Sequence, residues 1–460
     1  MRVVYIVLLV SLLVVYGKVL INVLKRSAGL TPLLGWMIGL AYFLLAPLLV
    51  LTLNGGFEMP AAYRVDNRWA KVDLTNTTFL IPYLVIWVSL VASCLTIDTF
   101  LPSSRQGGDW IYSLSRSKLQ RTLLICMAIA VAGWALQIWL VGGISAFLVS
   151  NWYLRGEDLF QQYGDSYVLV AHITLANQII FTGAAALYTG CGLRNRDTNR
   201  RFTALLIFFF LLGVVMTGNR IYLATYLLAC LTLFWLLGRK KLIFTLLAIS
   251  PVLVLVFSAW SSLRHNLSEI PDSVNTYAES DYGNRAVTSL INVTEGNSTM
   301  LLLHLINDFG NRYDFLYGLS YSRTLTSFIP RRIYPHKPEN FTTFLAKVYQ
   351  PDATTSYAAT AIGEMYCNFG PLTLLLCPLF TFGILSLNRW AVRQEQDHPL
   401  LPPMLFVLSV WVARGTLADN FVQFVLAFIL LSVLRMEKGL SRASGAGNRA
   451  LLPSGYLSGA

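Results

Sequence analysis

The chain has 460 residues, 55% of them hydrophobic and 13% charged, with a formal net charge of +12 at pH 7. Soluble domains carry about 25% charged residues, so this composition excludes an ordinary water-soluble globule. Nucleic-acid binding is excluded too, because the basic residues are dispersed between apolar runs and most of them follow the rule of membrane orientation.

The apolar runs are about 20 residues long, which is the length a helix needs to cross the hydrocarbon core of a bilayer. Outer-membrane barrel strands would be about 10 residues long with strict alternation, and that pattern is missing. The sequence predicts an all-α, multi-pass helical membrane protein of about eleven spans, at 3–24, 30–53, 78–101, 122–141, 167–191, 203–217, 221–238, 242–260, 366–388, 403–418 and 421–434. A further helix hidden in the long loop would make twelve. The first run, Val3 to Leu24, is too long for a signal-peptide core and lacks a small-residue cleavage site, so it is read as a helix. Cys94, Cys126, Cys191, Cys230, Cys367 and Cys377 all fall in or at the end of apolar runs. They read as small core residues and not as a disulfide framework.

Lys and Arg in short loops mark the cytoplasmic side. Arg105, Arg116, Lys118 and Arg121 mark one such loop, Arg194, Arg196, Arg200 and Arg201 a second, and Arg239, Lys240 and Lys241 a third. This places the N-terminus outside and the C-terminus inside. Four regions follow: N-terminal helices over 1–260, an extracytoplasmic loop serving as a catalytic cap over 261–365, C-terminal helices over 366–434, and a cytoplasmic tail of disordered composition over 435–460. Structureless loops longer than about 15 residues are uncommon. The long loop is rich in Tyr, Phe, Leu and Ile and contains the apolar run Met300 to Ile306, so it is expected to fold.

Within that loop lies SFIPRRIYPHKP, residues 327–338, with Arg331, Arg332, Lys337 and His336 set among Pro330, Pro335 and Pro338. Proline fixes φ and pushes the preceding residue toward extended geometry, so the segment reads as a stiff, extended strap that aims its cations. Paired arginine forks suit phosphate oxygens; the plainer reading is a solvated basic loop. Arg220 in the hairpin TGNR, Arg264 just after the eighth run and Arg414 in VARGTLADNF are also placed against the orientation rule. Ionisable groups in or beside the membrane are costly and usually functional. For Arg414 the plainer reading is a helix-tying pair with Asp419.

Glu364, in GEMYCNFG where the loop re-enters the membrane, is a candidate general base; it reads equally well as a charge complementing a helix N-terminus. His336 is a second candidate base, or a spacer between prolines. His172 and His304 sit in apolar segments and read as satisfied core residues. No set of residues has metal-ligand spacing and no phosphate-binding glycine loop occurs, so neither metal nor cofactor is expected.

The strap, followed further along by GEMYCNFG, resembles the layout of Wzy-type polymerases, the bacterial O-antigen and capsule repeat-unit polymerases. Arg331 and Lys337 match the strap motif and Glu364 the re-entry motif, while Arg220 in TGNR matches less strongly. Tyr334 stands where the family has tryptophan, so an aromatic is kept. The resemblance implies a fold like the GT-C membrane glycosyltransferases, and a site in the bacterial inner membrane facing the periplasm. It implies an undecaprenyl-pyrophosphate-linked glycan as donor and a lipid-linked repeat unit as acceptor. Membrane lipid surrounds the site, and a chain-length regulator and a flippase are the expected companions. Two alternatives stay open: an O-antigen ligase using the same donor, and a transporter of an anionic solute. Charges clustered at the outer face, away from the bilayer midplane, argue against the transporter.

Overall fold

The structure, a computed structural model, describes residues 1–27, 29–58, 71–102, 116–153, 157–194, 199–219, 221–246, 248–249, 296–326, 329, 333–334, 336–349, 357–415 and 417–433. Helix α1 (Arg2–Arg26) illustrates why the chain belongs in a bilayer. Tyr5, Leu9, Leu12, Tyr16, Val19 and Val23 fall at helical spacing on one face and are buried. Val3, Val7, Val10 and Val14 line the other face, equally apolar but exposed. A helix apolar on both faces, with only 28% of its apolar stretch buried in the protein, fits hydrocarbon and not water.

The chain continues through α2 (Pro32–Leu40), a π-helical turn (Ala41–Leu45), α3 (Ala46–Asn54), strands β1 (Gly56–Glu58) and β2 (Lys71–Asp73), α4 (Leu80–Phe100), α5 (Arg116–Leu140), α6 (Ile144–Tyr153), α7 (Glu157–Arg194), α8 (Arg200–Thr217) and α9 (Ile221–Leu236). Beyond the long interval come α10 (Gly296–Asp308), α11 (Leu319–Thr326), α12 (Phe341–Tyr349), α13 (Thr360–Phe369), a 3₁₀ turn (Gly370–Leu372), α14 (Thr373–Arg393), α15 (Leu401–Arg414) and α16 (Leu417–Val433). Among the described residues, 7 helical stretches are long and apolar enough to cross a membrane, and the shorter apolar helices are Ile221–Leu236, Leu401–Arg414 and Asn420–Ser432. Together these coincide with every expected span except 242–260, most of which lies outside the described residues. The protein is an all-α, multi-pass membrane protein.

Helix α15 is the centre of the bundle. Every residue from Leu401 to Ala413 is buried, and it packs against α2, α7, α9, α13, α14 and α16. Its closest neighbour is α2, and Gly35 and Gly39, four residues apart, explain how. A Cβ on Gly35 would fall on the carbonyl oxygen of Phe406, and one on Gly39 would lie 2.7 Å from the Ala413 Cβ. Small residues at this spacing let two membrane helices approach backbone to backbone.

Three intervals between the expected spans carry helix or sheet, and the long loop folds as expected. The segment 142–166 holds α6 and the start of α7, with a break at Gly164 (φ 76°). The interval between the second and third spans holds the β1–β2 pair, antiparallel with Phe57 opposite Val72. The interval read as a cap contains α10, and its residues Met300, Leu301, Leu302, Leu303 and Leu305 are all buried. Helix α10 packs on α13, α4 and the π turn, so this part of the loop is built into the core. Pro47 has no N–H to return to the carbonyl of Phe43 four residues earlier; the Thr299 hydroxyl donates to that oxygen at 3.1 Å. The π turn thus gains its partner from a helix far along the chain.

The core readings of the lesser motifs stand. All six cysteines are free and buried. His172 Nδ1 meets Gln423 Nε2 at 2.7 Å. His304 Nε2 donates to the Lys71 carbonyl at 2.9 Å and packs edge-on against Phe79.

Candidate functional site

Glu364 lies on the fifth residue of α13, which starts at Thr360, earlier than the expected re-entry at 366. Thr360 opens the helix with φ of 61°, a left-handed backbone that a β-branched residue rarely adopts. The helix ends where Gly370 takes φ of 55°, with the Phe315 ring filling the space a Cβ would need. That close approach accounts for the last glycine of GEMYCNFG. One turn separates Glu364 from Asn368, so both side chains share a face.

On that face is a closed polar network. Glu364 is 0% exposed. The Ser320 hydroxyl of α11 donates to its Oε1 at 2.8 Å, and the backbone N–H of Leu417 donates to its Oε2 at 2.6 Å. Asn368 orients the serine: its Nδ2 donates to Ser320 Oγ at 2.8 Å and to the Glu364 carbonyl at 2.7 Å, and its Oδ1 accepts from the Ser320 N–H at 3.4 Å. Burial, then the charge of Glu364, pushes the Tyr321 hydroxyl well above the ordinary tyrosine range. Leu417 is the first residue of α16, where backbone N–H groups lack intrahelical partners and a carboxylate is favoured. The charge that complements a helix N-terminus is therefore present, but the helix is α16 and not the one that carries Glu364.

Arg414 closes α15 and is partly buried. The Gly415 N–H returns to the Trp411 carbonyl at 3.0 Å, and two residues further on Leu417 meets Glu364. The side chain of Asp419, its expected partner, lies outside the described residues. The hairpin TGNR reaches the same end of the bundle. Thr217 Oγ1 accepts from the Asn219 N–H at 3.2 Å, and Asn219 Oδ1 from the Ile221 N–H at 3.1 Å, turn chemistry typical of Thr and Asn. Tyr222, next in the chain, packs its ring on Trp411 at 5.0 Å.

Of the strap, residues 329, 333–334 and 336–338 are described, and its expected extended course through Pro330 and Pro335 lies outside the described residues. Lys337 Nζ donates to the Ile329 carbonyl at 3.2 Å, and the Lys337 N–H to the Tyr334 carbonyl at 3.2 Å. The end of the strap is tied to α11 by Arg323, whose Nη1 donates to the Pro338 carbonyl at 2.6 Å. His336 and Tyr334 are exposed. Arg220, Arg264, Arg331 and Arg332 lie outside the described residues.

Helix α11 thus links the two regions: Ser320 holds Glu364, and Arg323, one turn on, holds the strap. Arg323 belongs to the loop cations placed against the orientation rule, but Ser320 and Asn368 were not singled out in the sequence, although the spacing of Asn368 from Glu364 within one motif was a usable signal. For Ser320 there was none.

Fold and site define a multi-pass helical membrane protein with a buried carboxylate and an arginine at one end of its central helix. The chain is similar to proteins named O-antigen polymerase from Salmonella typhimurium and Salmonella typhi, each 28% identical over 208 residues, which is 43% of this chain and 45% of the relative. It spans less than half the length of these curated relatives. No family model matches the chain, and no solved structure does.

Proposed function

We propose that the chain is a polysaccharide polymerase of the Wzy type, with a GT-C-like fold, acting at the outer face of the bacterial inner membrane. The donor is a glycan on undecaprenyl pyrophosphate and the acceptor a lipid-linked repeat unit. The acceptor hydroxyl oxygen forms a bond to the donor's anomeric carbon. The bond from that carbon to the phosphate oxygen breaks, and the electron pair leaves with the lipid pyrophosphate. Arg331, with Arg332, Lys337, Arg220, Arg264 and Arg414 as the other cations of the site, stabilises the charge that develops there. Tyr334 offers a face for a sugar ring.

Two groups are candidates for the acceptor's proton. His336 is exposed and reachable. Glu364 has both oxygens engaged by Ser320 and Leu417, which suits a positioning role: it fixes the corner between α15 and α16 next to Arg414. The observation that carries the reading is the similarity to O-antigen polymerases in a chain whose GEMYCNFG glutamate meets the Arg414 corner.

The test is the lipopolysaccharide or capsule banding pattern of a deletion strain, with and without the chain restored. A ladder cut to core plus one repeat, and regained on complementation, is the expected result. Loss of all O-antigen with polymer accumulating on the lipid carrier would make the protein a ligase. An unchanged ladder would sink both readings.

A further inference from the structure

Buried tyrosines elsewhere in this protein place their hydroxyls on partners. Tyr5 donates to the Asn76 carbonyl, Tyr83 meets Thr52, Tyr226 meets Thr189 and Tyr349 donates to Asp308. Tyr222 is 1% exposed, and its hydroxyl has no hydrogen-bond partner among the described residues. Tyrosine hydroxyls usually find a partner when buried, and an unpartnered one destabilises the fold. Phenylalanine would fill the same space against Trp411 without that cost.

The position suggests what the hydroxyl is for. Trp411 and Arg414 are three residues apart on α15 and so share a face, and Tyr222 packs on that face. The indole N–H of Trp411 is already committed to Thr225 Oγ1 at 3.2 Å, leaving the tyrosine as the uncommitted donor on the face of α15 that ends in Arg414. A donor next to a fixed cation suits an anionic oxygen.

We propose that the Tyr222 hydroxyl donates a hydrogen bond to a phosphate oxygen of the substrate held at Arg414, making it a ligand-contacting residue. The inference rests on the polymerase reading for the identity of that substrate, a lipid-linked pyrophosphate, but the anion site itself can be tested without it.

Wild type and Tyr222→Phe are compared in detergent for thermal unfolding midpoint, with and without inorganic pyrophosphate, and for glycan elongation. The expected variant unfolds at or above the wild-type midpoint, gains less from pyrophosphate, and elongates about tenfold to a hundredfold more slowly, the effect of one hydrogen bond to a charged group. Equal pyrophosphate protection with wild-type elongation would overturn the proposal and leave the polymerase reading intact. A lower midpoint with unchanged pyrophosphate protection would also overturn it, by assigning the hydroxyl a partner within the fold. Weaker protection of the variant by pyrophosphate, alongside a wild type that elongates nothing, would support the anion site and sink the polymerase reading.

Discussion

At Glu364 both carboxylate oxygens are met inside the protein by Ser320 and Leu417, whereas the strap carries His336 and Tyr334 exposed to solvent. Both regions hang on α11, one through Ser320 and the other through Arg323. A group in the closed network cannot be removed without leaving another buried group unpaired. A group in the strap can. Substitutions in the two regions should therefore separate into those that lower stability and those that lower activity alone.

The largest effect is expected at the strap. Arg331→Lys keeps the charge but loses the bidentate fork. Protein abundance should be normal, and elongation should fall about 100-fold or more, as for loss of one preorganised donor; the ladder on a lipopolysaccharide gel reads this directly. Wild-type ladders from both Arg331→Lys and Arg332→Lys would move the cationic role to Arg220, Arg264 or Arg414.

Next come the two candidate bases, measured together. His336→Ala should leave stability within about 0.5 kcal/mol and slow elongation about 100-fold, the typical worth of a general base. Glu364→Ala should lower stability by about 1–3 kcal/mol for each buried donor it abandons, visible as loss of monodisperse protein in detergent. Glu364→Gln should be milder, since the Ser320 hydroxyl can rotate to accept from the amide. A fully stable but inactive Glu364→Gln, beside an active His336→Ala, would transfer the base to Glu364 and erase the contrast.

A further substitution asks whether the buried bundle, away from the site, responds as the Glu364 corner does. Gly35→Ala drives a methyl into the Phe406 carbonyl and should destabilise by about 1–3 kcal/mol through overpacking. An unchanged unfolding midpoint would mean that α2 and α15 are not in backbone contact.

The smallest effect belongs to His304. Burial lowers its pKa below the usual histidine value, outweighing the carbonyl of Lys71 and the charge of Asp308, which raise it. As pH falls through about 6.5, the unfolded chain takes up a proton that the folded chain refuses, so stability is lost. His304→Gln should flatten that decline. A wild-type midpoint that stays level from neutral pH downward would contradict the buried, neutral imidazole.

The class of this protein was written in its sequence, because hydropathy and helical period are local properties. Runs of about 20 apolar residues fix where helices cross, and ten such runs have a helical counterpart among the described residues. The burial of the six cysteines was legible for the same reason. Glu364 could be singled out as a charge at a membrane border, but its surroundings could not. Its partners lie 44 and 53 residues away along the chain, and Phe43 is completed by a threonine 256 residues distant. Such pairings leave no periodic signal, since a serine or threonine hydroxyl looks the same in sequence whatever it meets. The contacts of the strap were out of reach for a related reason: proline sets local φ, but the bond from the Lys337 N–H to Tyr334 and the tie from Arg323 to Pro338 are contacts that only packing could decide. What tertiary structure settled was which of these polar groups close on one another inside the bundle and which remain exposed.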